Sequence, residues 1–314
     1  MKENLKLVIG TRGSKLAMWQ AEFIKSELLK YHPDLIIEIK LIKTKGDKIL
    51  DVALSKIGDK GLFTKELEEQ LLNNEIDLAV HSLKDLQTTL FPGLIIAAIT
   101  KRHPVEDVFI GKSYCKTIFD IKEGGTVATG ALRRRSQLKH LRPDINIVEL
   151  RGNVTGRIQK FLDSDWDGII LARAGVERLG LNNYISSIIG LDYLLTAPGQ
   201  GALGIEIREN DEKVIKLVSV LNDKDTEICV RAERQFLKTL EGGCQAPIAA
   251  YANILSNGLI LDGFVGSLDG SVTFRKRLRG KIKYPEQLGE KLAKEIMEVG
   301  AKEILDAIFK DARR

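Results

Sequence analysis

LKLVIGTRGSKLAMWQAEFIKSELLKYHPDLIIEIKLI, residues 5–42, decides the fold class. Residues 5–9 are a short apolar run closed by the turn Gly10-Thr-Arg-Gly13. Residues 14–30 then place Leu16, Trp19, Phe23, Ile24 and Leu28 at near-helical spacing and stop at His32-Pro33, as a helix should before proline. Residues 35–42 return to a β-branched run. Strand, helix, strand is the repeating unit of an α/β protein. The runs at 76–80, 94–99, 108–110, 145–150, 168–172 and 203–207 read as further, largely buried strands, and Thr64 precedes a second helix at 65–72.

The remaining chain reads differently. Residues 213–221 and 226–240 are helical in pattern, the second ending at Gly242-Gly243, a pair suited to a left-handed cap. Asn257-Gly258 and Asp269-Gly270 are hairpin signals that make 247–279 an antiparallel three-stranded meander, and a final amphipathic helix runs from about residue 285 to 309. Polar breaks at Lys101-Arg-His-Pro104 and Thr196-Ala-Pro-Gly-Gln-Gly201 suggest that the chain leaves one lobe near 101 and returns near 200. The expected organisation is α/β: two parallel-sheet lobes enclosing a cleft, domain 1 from 1–100 and 200–220 and domain 2 from 101–199. A small C-terminal α+β domain follows from 221–314.

With 314 residues, 44% hydrophobic and 29% charged, the chain has the composition of a soluble protein of two or three domains, not of a collagen, coiled coil or disordered chain. A net charge of +5 suits an anionic ligand and is too small to argue for nucleic acid. The three cysteines, Cys115, Cys229 and Cys244, are odd in number and widely spaced, which implies free thiols in a reducing compartment. Cys115 falls in a polar surface segment, Cys229 in an amphipathic helix and Cys244 in an accessible loop. The first apolar run is far too short for an export signal, and turns break the longest uncharged stretch, 242–261, so a cytoplasmic protein without membrane spans is expected.

No two of the four histidines lie at metal-ligand spacing, and neither a Walker loop nor a GxGxxG follows a strand. The glycine turns at 10–13 and 198–201 could present backbone N–H groups to an anion, but alone they read more readily as plain tight turns. More informative are the basic residues placed just after strands: Arg12, Lys84, Arg133, Arg134, Arg135, Arg151, Arg157 and Arg178. Any one of them reads as a solvated surface charge. As a set they point to a crevice at strand ends that reads carboxylate or phosphate. Asp85, in His81-Ser-Leu-Lys-Asp85, either caps a helix or stabilises a transient cation and moves a proton.

The segments TKGDKILD (44–51), KIGDKGLFTKELE (56–68), HSLKD (81–85), LRRRSQL (132–138), LRGNV (150–154), PGQGALGIE (198–206) and LEGGCQAPIAAYA (240–252) together resemble the hydroxymethylbilane synthases, also called porphobilinogen deaminases. The resemblance runs from Ile9 to the final helix. It implies two lobes similar to those of type II periplasmic binding proteins, a third α+β domain, and a dipyrromethane cofactor joined by a thioether to Cys244. The implied reaction deaminates porphobilinogen, couples four units stepwise to this primer and releases hydroxymethylbilane by hydrolysis. Asp85 would then be the catalytic residue. Arg12, Ser14, Lys84, Thr129, Arg133, Arg134, Arg151, Arg157, Arg178 and Gln200 would hold cofactor and substrate carboxylates, and Lys56, Lys60 and Gly61 would lie in a mobile cover. The family also implies a monomer, with no metal.

Gly130 and Ala131 stand where members commonly have two serines, and Gln87 replaces a frequent proline. Two alternatives follow: a weakened or cofactor-deficient relative, and a non-enzymatic protein binding a small anion. The lack of an export signal and the presence of Cys244 argue against the second.

Overall fold

The computed structural model describes residues 6–44, 46, 64–242, 246–256 and 258–312, which gather into two compact units. Lys56, Lys60, Gly61 and Cys244 lie outside the described residues.

The first unit takes the described residues up to His103 together with 201–227. It contains β1 (Lys6–Thr11), α1 (Lys15–Tyr31), β2 (Ile36–Leu41), α2 (Lys65–Leu72), β3 (Leu78–Ser82), β4 (Leu94–Ile99), β10 (Leu203–Arg208) and α6 (Glu212–Val218). The sheet order is β2-β1-β3-β10-β4. Strand alternation sends Leu7, Ile9, Leu78, Val80, Leu203, Ile205 and Ile207 to one face, where Ile24 and Leu28 of α1 and Val214 of α6 cover them. Ala79, on the opposite face, meets Leu67 and Leu71 of α2.

The second unit takes 104–200 and the described residues from Ile228 onward. Its α/β part holds β5 (Asp107–Gly111), β6 (Thr126–Ala128), α3 (Leu132–Leu141), β7 (Asn146–Val148), α4 (Val154–Leu162), β8 (Gly168–Ala172), α5 (Arg173–Arg178) and β9 (Ser187–Ile189). The order is β7-β6-β8-β5-β9, so both sheets follow one plan. In each, the fourth strand is antiparallel to both neighbours: β10 to β3 and β4, β5 to β8 and β9. The expected parallel sheets are therefore mixed. A strand entering from a distant part of the sequence needs no βαβ crossover and is free to run the other way.

The chain then forms α7 (Lys224–Thr239), β11 (Ile248–Leu255), β12 (Gly258–Gly266), β13 (Thr273–Gly280), α8 (Pro285–Ile296) and α9 (Lys302–Ala312). The antiparallel sheet β11-β12-β13 packs Leu259, Leu261 and Val265 against Phe236 of α7 and Leu292 of α8. The structure thus has two α/β lobes and a separate three-stranded antiparallel sheet with helices, the fold class expected.

Three local expectations change. The single C-terminal helix is interrupted between α8 and α9 by a π-turn at Met297–Ala301, where Gly300 has φ 115°. The left-handed residue closing α7 is Glu241, φ 52°, and not a glycine. The Gly242 N–H then bonds the Leu237 carbonyl in a 6→1 closure, and Gly242 is needed because a Cβ there would collide with Ile248. Cys115 is buried, not superficial. A turn closed by its N–H on the Lys112 carbonyl tucks it into the core with Ile118 and Ile121, and burial pushes its thiol up to about 11. No helix among the described residues is long and apolar enough to cross a membrane.

Candidate functional site

In the first unit the strand-end residues follow two neighbouring parallel strands. Arg12 and Ser14 follow β1, and the Ser14 hydroxyl caps α1 by accepting the Ala17 N–H at 3.2 Å. Its own O–H remains a donor, and no acidic residue occupies the first turn of α1, so this helix start favours an anion. Lys84 and Asp85 form a 3₁₀ turn, Leu83–Asp85, directly after β3, with Asp85 exposed and Lys84 half-buried. Asp85 therefore ends a turn and caps no α-helix.

Beneath this turn the sheet carries ionisable groups that were not foreseen. His81 Nε2 lies 2.9 Å from Glu206 Oε2, both side chains buried, and Glu68 of α2 is buried near them. Burial raises the Glu68 pKa, and the negative charge of Glu206 adds to the shift. An acid held protonated by the fold contributes stability that is complete below its ordinary value of 4.5 and is lost as pH rises through its raised value. Glu68→Gln, which cannot ionise, is expected to gain melting temperature over wild type as pH is raised from 4.5 through the raised value and to hold that gain above it. Parallel melting curves across that range would refute it.

In the second unit, Arg133 and Arg134 open α3 and converge on one buried carboxylate. Asp107 accepts from Arg133 Nη1 at 2.7 Å and Nη2 at 3.1 Å, and from Arg134 Nε at 2.9 Å and Nη2 at 2.8 Å. Arg134 Nη1 also donates to the Ile170 carbonyl, and Arg133 to Leu195 and to Gln200 Oε1. Gln200 in turn donates to Asp107 and Val105. Burial alone would raise the Asp107 pKa, but the two guanidiniums hold it far below the carboxylate range. Arg133, Arg134 and Gln200, expected to present themselves to a ligand, are instead occupied with Asp107, a partner missed in the sequence. Two cations against one anion leave this cluster one positive charge in excess. Asp107→Asn removes the counter-charge from two buried guanidiniums and is expected to cost about 3–5 kcal/mol, read as a lowered urea midpoint. A loss below about 1 kcal/mol, the worth of an exposed pair, would overturn it.

The turn carrying Gln200 is also explained internally. Gly199, φ 74°, points its N–H at Glu233 Oε2, 2.7 Å away, so the anion held by this glycine turn is a buried side chain of α7.

Arg151 differs from the α3 pair. It follows β7, its side chain is 13% exposed, and Nε and Nη2 are buried with no hydrogen-bond acceptor among the described residues. Glu149 Oε1 approaches Nε only to 3.4 Å and makes no hydrogen bond with it. Gly130 brings the neighbouring turn close: a Cβ there would lie 2.5 Å from the Leu150 carbonyl, so the serine expected by resemblance has no room. That contact places Thr129-Gly130-Ala131, and with it the start of α3, next to the Arg151 turn. α3 has no side-chain cap and no acid in its first turn. Arg157 spends Nε on the Gly152 carbonyl, and Arg178, half-buried at the end of α5, is pushed down to about 10 by burial and still charged at neutral pH.

Buried N–H groups without an acceptor are costly and signal a missing partner. Here the donor set, guanidinium N–H beside an open helix start, calls for an anion with several carboxylates, and a dipyrromethane with acetate and propionate arms meets that demand. A two-lobed α/β fold with such a cation-rich second lobe belongs to a class suited to polyanionic small molecules.

Comparison with known proteins narrows the class. The family model "Porphobilinogen deaminase, dipyromethane cofactor binding domain" matches residues 7–216, and "Porphobilinogen deaminase, C-terminal domain" matches 227–298. The porphobilinogen deaminase of Chloroherpeton thalassium is 50% identical over 309 residues, covering 97% of this chain and 98% of that protein. That of Chlorobaculum tepidum is 50% identical over 308 residues, with the same coverage. Among solved structures, the methionine-binding protein MetQ aligns at 13% identity with a TM-score of 0.43, over 69% of this chain and 89% of that one, too loosely to carry an argument. The chain belongs to the porphobilinogen deaminase family, the transferases that make hydroxymethylbilane with a dipyrromethane cofactor.

Proposed function

We propose that this enzyme carries its dipyrromethane as a thioether on Cys244, uses Asp85 as its catalytic carboxylate, and runs the reaction as a cytoplasmic monomer with the three-domain division given above and no nucleic-acid partner. When bound, the dipyrromethane supplies the nucleophilic pyrrole carbon to which porphobilinogen units are joined. The observation that carries the reading is Arg151, whose buried Nε and Nη2 have no hydrogen-bond acceptor among the described residues, with Glu149 only an ion-pair partner at 3.4 Å, beside an uncapped helix start.

On this reading Arg151, Thr129 and the N-terminal N–H groups of α3 hold carboxylates in the second unit, with Arg157 and Arg178 adding positive charge. Arg133 and Arg134 act from behind: locked on Asp107, they lend the start of α3 a net positive charge, and release of either fork from Asp107 would make it a direct carboxylate reader. In the first unit Arg12, the Ser14 hydroxyl and Lys84 do the same for substrate. Asp85 accepts hydrogen bonds from pyrrole N–H groups and stabilises the positive charge that develops on the pyrrole and its methylene carbon as the amino group of the substrate's aminomethyl arm departs as ammonia. The carboxylate can also take up the proton lost from the pyrrole carbon after coupling. Lys56, Lys60 and Gly61 are assigned to a loop over the site by resemblance alone.

The test is the denatured intact mass of the purified protein before and after incubation with porphobilinogen. An excess over the sequence mass equal to two deaminated porphobilinogen units, growing by single units when substrate is limiting, is expected. A protein that never gains pyrrole mass would be the cofactor-deficient relative instead.

A further inference from the structure

The motifs HSLKD and PGQGALGIE begin and end on residues that the proposed mechanism does not use, His81 and Glu206. In the fold they meet. β3 and β10 pair antiparallel with His81 opposite Gly204 and Ala79 opposite Glu206, so His81 and Glu206 are diagonal neighbours on one face. That face is the one covered by Leu67 and Leu71 of α2, an apolar layer in which a carboxylate at 0% exposure is out of place. Glu206 Oε2 is 2.9 Å from the imidazole Nε2, while its Oε1 is buried with no hydrogen-bond partner among the described residues. Glu68 is the buried charged group that α2 brings to the same layer, with Glu69 beside it exposed.

Such a pair is a poor way to gain stability. Replacing a buried ion pair by apolar side chains of similar volume is often neutral or stabilising. What the pair does supply is direction, because a hydrogen bond between two buried side chains fixes the strand that carries them more narrowly than apolar contact does. Three successive residues of HSLKD are tied in place, His81 and Leu83 to β10 and the residue that leads into it, and Ser82 to α1. His81 is held by Glu206 of β10, and Ser82 accepts from Gln20 Nε2 of α1 at 2.7 Å on the opposite face. Leu83 donates its N–H to the Ala202 carbonyl at 3.1 Å, and its side chain fills the space left by Gly204, where a Cβ would lie 2.8 Å from Leu83 Cδ1. Lys84 and the exposed Asp85 come next.

We propose that His81 and Glu206 are positioning residues that fix the turn bearing Asp85, so that its carboxylate is aimed before substrate arrives. The inference rests on the reading of Asp85 as the catalytic group. Misplacement of a reacting group by an ångström costs as much as ~100-fold in rate, so loosening the turn acts on kcat and leaves substrate affinity to the cationic residues.

The experiment compares holoenzymes of wild type, Glu206→Gln, Glu206→Met, the double variant His81→Leu with Glu206→Leu, and Asp85→Asn. For each, covalent mass, thermal midpoint, kcat and KM for porphobilinogen are measured. The double variant is expected to carry the full cofactor mass and to melt at or above the wild-type temperature. Its kcat should fall by roughly 30-fold with KM within about 3-fold of wild type. Glu206→Gln keeps an acceptor for an imidazole N–H and should restore most of the rate. A double variant with wild-type kcat, while Asp85→Asn is slow, would overturn the positioning role and leave the catalytic reading standing. An active Asp85→Asn would remove the catalytic reading itself. Should the double variant fail to fold, the ratio of kcat between Glu206→Gln and Glu206→Met at equal cofactor load decides: about tenfold supports the proposal, equality overturns it.

Discussion

Asp85→Asn is expected to fold normally, to carry its full complement of covalent pyrrole and to turn over about 10²–10³-fold more slowly than wild type, the loss seen when one preorganised electrostatic group is removed. The expectation combines place and chemistry. Asp85 is exposed at the end of a 3₁₀ turn, so asparagine has no packing to disturb. Asparagine keeps the size and one acceptor oxygen but loses the negative charge. That charge matters only once ammonia has left and the substrate is cationic, so the loss falls on kcat more than on KM. Single-turnover kinetics with one equivalent of porphobilinogen, followed by the mass of the denatured protein, would show slow appearance of the first added unit. A variant retaining more than a third of the wild-type rate would exclude Asp85 from the chemistry.

The neighbourhood of Asp85 also shows what a linear reading finds and misses. The strand before it and the α1 helix were read to within a few residues, because buried strands and a one-sided helix leave periodicities of 2 and 3.6 in the sequence. The direction of β10 was not readable, since a strand buried on both faces gives the same apolar run whichever way it points. β6 and β9 were missed for another reason: three residues each are too few to display any period. The interruption between α8 and α9 did leave a signal, Gly300 inside a helical pattern, whose meaning lay in its positive φ.

Among the site residues, cations at strand ends were legible because position after a strand is a property of sequence. Which of them are already neutralised was not. Asp107 meets Arg133 and Arg134 from 26 and 27 residues away, and Glu206 meets His81 from 125. Only the sheet order brings such partners together. Asp107 had one available cue, a carboxylate at the head of the buried run Val108-Phe-Ile110, where an unpaired charge would be costly. Gly130 shows the reverse case. Compared with serine it reads as a lost hydroxyl donor, whereas the fold uses it to let the Leu150 carbonyl approach, which brings Thr129 and the start of α3 to Arg151.

Cys244→Ala is expected to abolish turnover and to remove all covalent pyrrole, leaving a denatured mass equal to that of the sequence with the one substitution. Cys244 is the attachment point by resemblance, and the other two thiols are excluded by their surroundings. Cys115 and Cys229 are both buried, and burial pushes the Cys115 thiol up to about 11, so neither sulfur is exposed for attachment. The variant keeps Arg151, Thr129 and the uncapped start of α3, so on the proposed reading it retains the carboxylate-binding groups of the second unit without the bond. It should therefore bind pyrrole reversibly, and any pigment that copurifies should be lost on denaturation. Survival of bound pyrrole through denaturation would place the thioether elsewhere. Loss of reversible binding as well, in a variant that still melts cooperatively, would mean that Arg151 and α3 do not hold the pyrrole carboxylates, and that the buried N–H groups of Arg151 await some other acceptor.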